Sequence, residues 1–157
     1  VKEAIFPLLI GVFVYASSKS DNPFFKAMLL NPAVFNLEKL NAQLNSNERI
    51  EHFNSLMVRS TQFLSLSFLL SAILNFLLAL YIFEPLSPDL NLEQKQEILN
   101  TQLSHMTAYS MFVILIPTIF VVGFIMYNAF KKITNITGLS LDELTQPSPS
   151  QPPNKTN

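Results

Sequence analysis

A stripe of small and polar side chains lies in one of the uncharged stretches of the chain. Its members recur every four positions as Ser67, Ser71, Asn75 and Ala79. Residues four apart share one face of an α-helix, so these side chains form a narrow line on an otherwise bulky helix. In lipid, small side chains let two helix backbones approach, and Ser and Asn can hydrogen-bond to a neighbouring helix. The stripe therefore predicts either a helix-packing contact or the polar wall of a solute path.

Of the four residues, Asn75 gives the most specific prediction. It lies near the middle of its apolar stretch, where an unpaired amide is costly in lipid. We therefore expect a hydrogen-bond partner for the Asn75 amide, either in this chain or in helices that precede it.

Glycine and proline mark two further helices as candidates for packing or gating. Gly11 lies four positions after Pro7 and four before Tyr15, and we expect a close helix contact there. Pro117 lies near the centre of the last apolar stretch, where a proline frees a backbone carbonyl and tends to kink the helix, and Gly123 follows it. Kinks can serve gating and also occur in inert membrane helices, so both interpretations stay open.

The composition is that of a membrane protein or of a very apolar helical core. Of the 157 residues, 49% are hydrophobic and only 13% are charged, about half of the usual share. The formal net charge is −1 and there is no basic block, which argues against a nucleic-acid partner. Residues 61–83 and 106–130 contain no charge and show no polar face, so we expect them to lie in lipid.

The predicted fold is an all-α, polytopic integral membrane helical bundle. Its three expected transmembrane helices occupy residues 1–18, 61–83 and 106–130. The first is short, and Val14–Ala16 has the pattern of a cleavage site, so a cleavable signal peptide is the alternative. Against that alternative, Glu3 cancels the charge of Lys2, and the chain does not begin with Met.

Basic residues set the expected orientation. The segment between the first two spans contains Lys19, Lys26, Lys39, Arg49 and Arg59. The positive-inside rule therefore places residues 19–60 and the tail 131–157 in the cytoplasm, and the acidic loop 84–105 outside. Arg59 is expected to anchor the second span at the membrane surface. This orientation puts Val1 outside, so we expect further helices to precede it.

The segments outside the spans are expected to be partly helical, with amphipathic helices at the membrane interface. The expected helices run from Asn22-Pro23 to Asn31, over Leu37–Leu44, from a cap at Asn47 into the second span, weakly over Leu90–Leu103, and over Leu139–Leu144. After residue 145 the tail consists mainly of Pro, Ser, Gln and Asn, and we expect it to be disordered.

Residues for catalysis or for cofactor binding are not expected. The chain has no Cys, which excludes disulfides and thiolate metal sites. His52 and His105 lie on opposite predicted sides of the membrane and cannot share a metal ion. No charge lies in residues 4–16, 61–83 or 106–130, and no phosphate loop, zinc motif or nucleophile motif is present. The expectation is therefore no catalytic residue, no metal, no cofactor and no enzymatic activity.

Four stretches carry a resemblance to a known family: KEAIFPLLIGVFVYASS, NPFFKAMLL, RSTQFLSLSFLLSAILNFLLALYIF and VGFIMYNAF. Together they resemble the C-terminal half of the intracellular septation protein A family of bacterial inner-membrane proteins. That family's short element after a span, mid-helix Asn and final span correspond to Asn22–Leu30, Asn75 and Tyr109–Phe130. The segment between Asn31 and Glu51 is longer here than in the family. The resemblance implies a bacterial inner membrane and a role in envelope maintenance or cell division, with no known catalytic residues.

The function expected from these features is that of a non-enzymatic, multi-pass protein of the bacterial inner (plasma) membrane with its C-terminus in the cytoplasm. It would act in septation or in the cell envelope through helix and protein contacts. Its expected partners are the lipid bilayer and either preceding helices of the same protein or other membrane subunits. The alternative is a fragment of a small-solute transporter or channel, with Ser67, Ser71 and Asn75 lining the path.

Overall fold

The computed structural model describes residues 2–32 and 35–145, and every regular element in that part of the chain is helical. The helices are α1 (Lys2–Ser17), α2 (Phe24–Leu29), α3 (Leu37–Gln43), α4 (Asn47–Ile82), α5 (Leu92–Ser110), α6 (Ile116–Thr137) and α7 (Leu141–Thr145), with a π-helical turn (Met111–Leu115) between α5 and α6. The all-α prediction is confirmed for these residues. The predicted disorder after residue 145 lies outside them.

The chain divides into two compact units. The first consists of Val1–Phe13 and Ser65–Gly123, and the second of Val14–Leu64 and Phe124–Asn157. The core of the first unit joins α4 to α5 and the π-helical turn through Leu78, Ala79, Met106 and Ile114. Further apolar side chains near the end of α4, those of Leu74, Ile82 and Phe83, cover this cluster.

The second unit is held together by short helices that pack against longer ones. Among its described residues, the buried apolar side chains are Val14 on α1, Phe25 and Leu29 on α2, Phe35 and Leu40 at α3, Phe53, Leu56, Met57 and Leu64 on α4, Ile125, Ala129 and Ile133 on α6, and Leu144 on α7. The Phe35 and Phe130 rings stack with their centroids 5.7 Å apart. The Asn36 backbone N–H donates to the Leu144 carbonyl oxygen at 2.7 Å. Through these contacts the start of α3 packs against α6 and α7.

Two helix starts differ from prediction by one residue. The helix expected at Asn22-Pro23 begins at Phe24, because Pro23 has an extended backbone and itself precedes the helix. The cap expected at Asn47 is instead Ser46, whose Oγ accepts a hydrogen bond from the Arg49 backbone N–H at 3.3 Å. A capping side chain must precede the first helical residue, and Asn47 is already helical.

The other short helices form close to their expected positions. Asn36 caps α3, since its Oδ1 accepts from the Lys39 backbone N–H at 3.0 Å. At the start of α7, the Ser140 backbone N–H and hydroxyl both donate to Glu143 Oε2 at 2.8 Å. Hydrogen bonds from the Ser140 backbone and side chain hold the pKa of the Glu143 carboxyl below its ordinary value.

The weak helix expected over Leu90–Leu103, in the predicted external loop, is present as α5, which begins at Leu92. A capping box starts α5: Asn91 Oδ1 accepts from the Gln94 N–H at 2.8 Å, and Gln94 Oε1 accepts from the Asn91 N–H at 3.1 Å. From Leu92 the chain stays helical to Thr137, including the π-helical turn. The positions 105 and 130 were predicted as limits of a membrane span, and the helical backbone continues across both of them. They marked changes in polarity, which do not end a helix whose backbone bonds continue.

Two helices are long and apolar enough to cross a membrane, namely Asn47–Ile82 and the run Leu92–Thr137. A core helix of a soluble protein would be mostly buried, yet only 6% of the apolar window of Leu92–Thr137 is buried, against 39% for Asn47–Ile82. Phe120 and Phe124 on this run are 75% and 69% exposed. Exposed apolar surface of this extent is typical of an interface with lipid or with other proteins. The helix Ala4–Ser17 is also apolar but shorter.

The capping box makes the start of α5 testable. Replacing Asn91 by Ala removes the acceptor for the Gln94 N–H, and such caps contribute about 1 kcal/mol. We expect about fivefold faster hydrogen exchange of the backbone amides in the first turn of α5, measured by NMR or mass spectrometry. Asn100→Ala is the control, since Asn100 is exposed and lies inside α5. Equal acceleration in both variants would contradict the capping role.

Candidate functional site

The closest helix contact in the described part of the first unit that involves glycine joins α1 to α4 at Gly11. The Ser65 hydroxyl donates to the Gly11 carbonyl oxygen at 2.8 Å, and both residues are buried. A Cβ atom on Gly11 would lie 3.0 Å from Leu69 Cδ2 and 3.3 Å from Phe68 Cβ. The lack of a side chain therefore lets α4 approach the backbone of α1. The structure places Gly11 at the kind of contact that the sequence predicts.

The predicted stripe on α4 lies along a largely buried face. Ser67 and Ser71 are buried, Ala79 is buried in the apolar cluster, and Asn75 is half-buried. Asn75 Nδ2 donates to the Ser71 carbonyl oxygen of the same helix at 2.9 Å. The expected partner for Asn75 is therefore found one turn back on its own helix. An amide that bonds to the preceding turn does not require a second helix.

A second stripe of small side chains, parallel to the predicted one, also lies on α4 and was not predicted. Thr61, Ser65 and Ala72 are all buried and follow one another at intervals of four and seven. Residues at this spacing share a helix face, so the signal was present in the sequence. Because the two stripes of small residues lie side by side, the sequence does not indicate which of them contacts the neighbouring helix. The backbone contact with Gly11 falls on the missed stripe.

Hydroxyl groups also satisfy the first backbone donors of α2 in the second unit. The Phe25 N–H donates to Thr61 Oγ1 at 3.1 Å, and the Phe24 N–H donates to Ser17 Oγ at 3.1 Å. Each hydroxyl in turn donates to a carbonyl of its own helix, Thr61 to Met57 at 2.8 Å and Ser17 to Val14 at 2.7 Å. These bonds replace the Asn22 cap that the sequence predicts, because the N–H groups at a helix N-terminus can donate to any suitably placed oxygen.

Pro117 and Gly123 differ in their surroundings. Pro117 is half-buried and is the second residue of α6, two positions after the π-helical turn ends at Leu115. Proline lacks a backbone donor, and both proline and π-helical turns occur where a helix departs from regular geometry. Gly123 is exposed, and an added Cβ would meet no described atom within 4 Å. Within residues 2–32 and 35–145, Gly123 is therefore not a packing position of the kind predicted.

These features are suited to helix assembly. The Thr61 and Ser65 hydroxyls and the Asn75 amide on α4 each donate to a backbone carbonyl, and no charged side chain lies among them. Among the described residues, no three His, Asp or Glu side chains come together as metal ligands. His52 belongs to the second unit and His105 to the first. What the geometry provides is a means for α4 to hold neighbouring backbones at short distance.

The contact at Gly11 can be tested with a matched pair of glycine substitutions. Gly11→Leu inserts a side chain against Leu69 and Phe68, and overpacking of this kind costs about 1–3 kcal/mol. Gly123→Leu makes the same change at an open position and should not destabilise. Denaturation of the detergent-solubilised chain, followed by circular dichroism, measures both. Equal stability of the two variants would show that Gly11 is not a close contact.

The chain was compared with known proteins at three levels. No protein-family model, no curated protein and no solved structure matches it.

Proposed function

We propose that this chain is a multi-pass, non-enzymatic protein of a bacterial inner membrane that acts in the cell envelope or in septation through helix and protein contacts. The observation that carries the membrane placement is the exposure of the run Leu92–Thr137, of whose apolar window only 6% is buried. Water would oppose this exposure, whereas lipid tails or neighbouring apolar helices accommodate it. The resemblance of the sequence to the septation family supports the more specific role.

Three spans and their orientation belong to the same proposal. Asn47–Ile82 has 36 residues and a length of about 54 Å, so it would extend beyond a hydrocarbon core of about 30 Å. Its charged residues all lie in its first turns, up to Arg59, and would remain outside the core. α1 would be the remaining span. It is short, and flanking polar residues that reach the headgroups would compensate for its length. The basic segment 19–60 and the tail 131–157 would face the cytoplasm.

The proposed contacts explain how Ser, Thr and Asn side chains are accommodated in the uncharged stretches of the spans. A Ser or Thr hydroxyl that donates to a backbone carbonyl stays satisfied in lipid. The bond from Ser65 to Gly11 shows such a hydroxyl that joins two helices. The exposed faces of α6 would then remain available for lipid, for further helices of the same protein or for other membrane subunits.

The topology is tested by single cysteines in a chain that has none of its own. Ser87→Cys lies in the segment before α5 and Ser55→Cys on the first half of α4, and both positions are exposed. In intact cells a membrane-impermeant maleimide should label Ser87→Cys, and Ser55→Cys only after permeabilisation. The reverse pattern would invert the orientation, and recovery of the chain in the soluble fraction would refute the membrane placement.

The alternative function is a solute path along the stripe of Ser67, Ser71, Asn75 and Ala79. It is tested with single cysteines in the same cysteine-free chain. Cysteines at Ser67, Ser71 and Asn75 should stay unreactive towards water-soluble thiol reagents in membranes if the stripe packs against protein. Tyr81→Cys, at an 82% exposed position near the end of α4, is the control for reagent access. Reaction at all three stripe positions would favour the transporter or channel over the contact protein.

A further inference from the structure

The second unit contains a cleft whose polar lining is basic. It has a volume of about 340 Å³ and lies between α4 and α6. Two aliphatic side chains, those of Leu56 and Ile136, contribute to it, and its polar lining consists of His52, Ser55, Arg59, Lys132 and Asn135. This volume falls within the range of small-ligand sites.

The two cations of the cleft have no partner in the described part of the chain. Arg59 and Lys132 are exposed, and neither forms a salt bridge or a hydrogen bond with any described residue. No acidic side chain is among the residues that line the cleft. Like charges that face one space repel each other, so a bound anion would lower the electrostatic energy of this arrangement.

The donor set suits a phosphate group. The Arg59 guanidinium can bind two oxygens in its planar fork, and the Lys132 ammonium adds a second positive charge. The Ser55 hydroxyl and the Asn135 amide supply neutral donors on the same two helices. A carboxylate offers two oxygens to such a set, whereas a phosphate diester offers its two charged oxygens together with ester oxygens for the neutral donors.

The position of the cleft along the helices indicates where the phosphate comes from. Arg59 is the last charge before the apolar part of α4, and Lys132 directly follows Phe130 and Lys131 at the end of the apolar part of α6. Both cations thus lie where a chain placed in a membrane leaves the hydrocarbon core, at the depth of lipid headgroups. This step depends on the membrane placement proposed above.

We propose that the cleft binds the phosphate of an anionic phospholipid headgroup, with Arg59 and Lys132 as its charged ligands and Ser55 and Asn135 as neutral donors. The role of Arg59 is then more specific than that of a surface anchor. An annular lipid in this position would hold α4 and α6 of the second unit together through one headgroup. Basic pockets between helices at the membrane surface bind anionic headgroups by the same physical means.

The test uses the full chain in a neutral detergent, titrated with dioctanoyl-phosphatidylglycerol and observed by native mass spectrometry. Arg59→Gln and Lys132→Gln should each weaken binding about fivefold, the effect of one basic charge near an anionic headgroup. Lys131→Gln is the matched control: it removes the same charge next to the cleft, but Lys131 does not line it. Lys132→Arg retains the charge and should bind within about twofold of the unchanged chain.

Further lipids and a soluble ester identify the source of the phosphate. Dioctanoyl-phosphatidylcholine, which has no net charge, should bind more weakly and without dependence on Lys132. Equal binding of glycerol phosphate, with the same dependence, would assign the cleft to a soluble phosphate ester and overturn the lipid proposal. Equal losses in Lys131→Gln and Lys132→Gln, or none in either, would refute the cleft itself. Membrane placement is measured separately by fractionation, so its failure cannot be mistaken for failure of the cleft.

Discussion

Large apolar side chains on α6 and the preceding π-helical turn are exposed in the described part of the chain, and the remaining structure depends on how that surface is accommodated. In water the exposure of residues such as Phe112 and Phe120, at 63% and 75%, would favour aggregation. In lipid the same surface costs nothing, and polar backbone groups become the expensive ones. The almost wholly helical backbone and the hydroxyl-to-carbonyl bonds meet that second requirement.

Small residues and hydroxyls on α4 serve different neighbours in the two units. In the first unit, Ser65 donates to the Gly11 carbonyl, where the absence of a side chain permits the approach. In the second unit, Thr61 accepts from the Phe25 N–H and so begins α2. Each contact joins a side chain to a backbone group rather than to another side chain. Every residue has these backbone groups. Such contacts therefore depend on how close the two helices lie, and much less on which side chain the partner residue carries.

The sequence was sufficient for the helical class, for the close approach at Gly11 and for the short helices around Leu40 and Leu144, because apolar spacing and glycine have direct steric meaning. It was insufficient where several oxygens compete for one donor. Asn22 is a good capping residue, yet Ser17 and Thr61 reach the N–H groups of α2 instead. The sequence does not distinguish Gly123 from Gly11. The structure does, because a Cβ atom on Gly11 would meet α4, whereas one on Gly123 would meet no described atom within 4 Å. The cleft was not predicted, since its two cations are far apart in the chain.

The π-helical turn at Met111–Leu115 changes which residues share a helix face before and after it. Successive residues of an α-helix are rotated by about 100°, and a π-helical turn contains one residue more than the α-helical turn it replaces. Residues 116–123, which follow the turn within the first unit, are therefore rotated by about 100° relative to an unbroken helix that began at Leu92. A helical repeat of apolar residues that is extended across the turn predicts the wrong face for this part of α6. Deletion of one residue within the turn would leave the composition of the span almost unchanged while it redirected the side chains of residues 116–123.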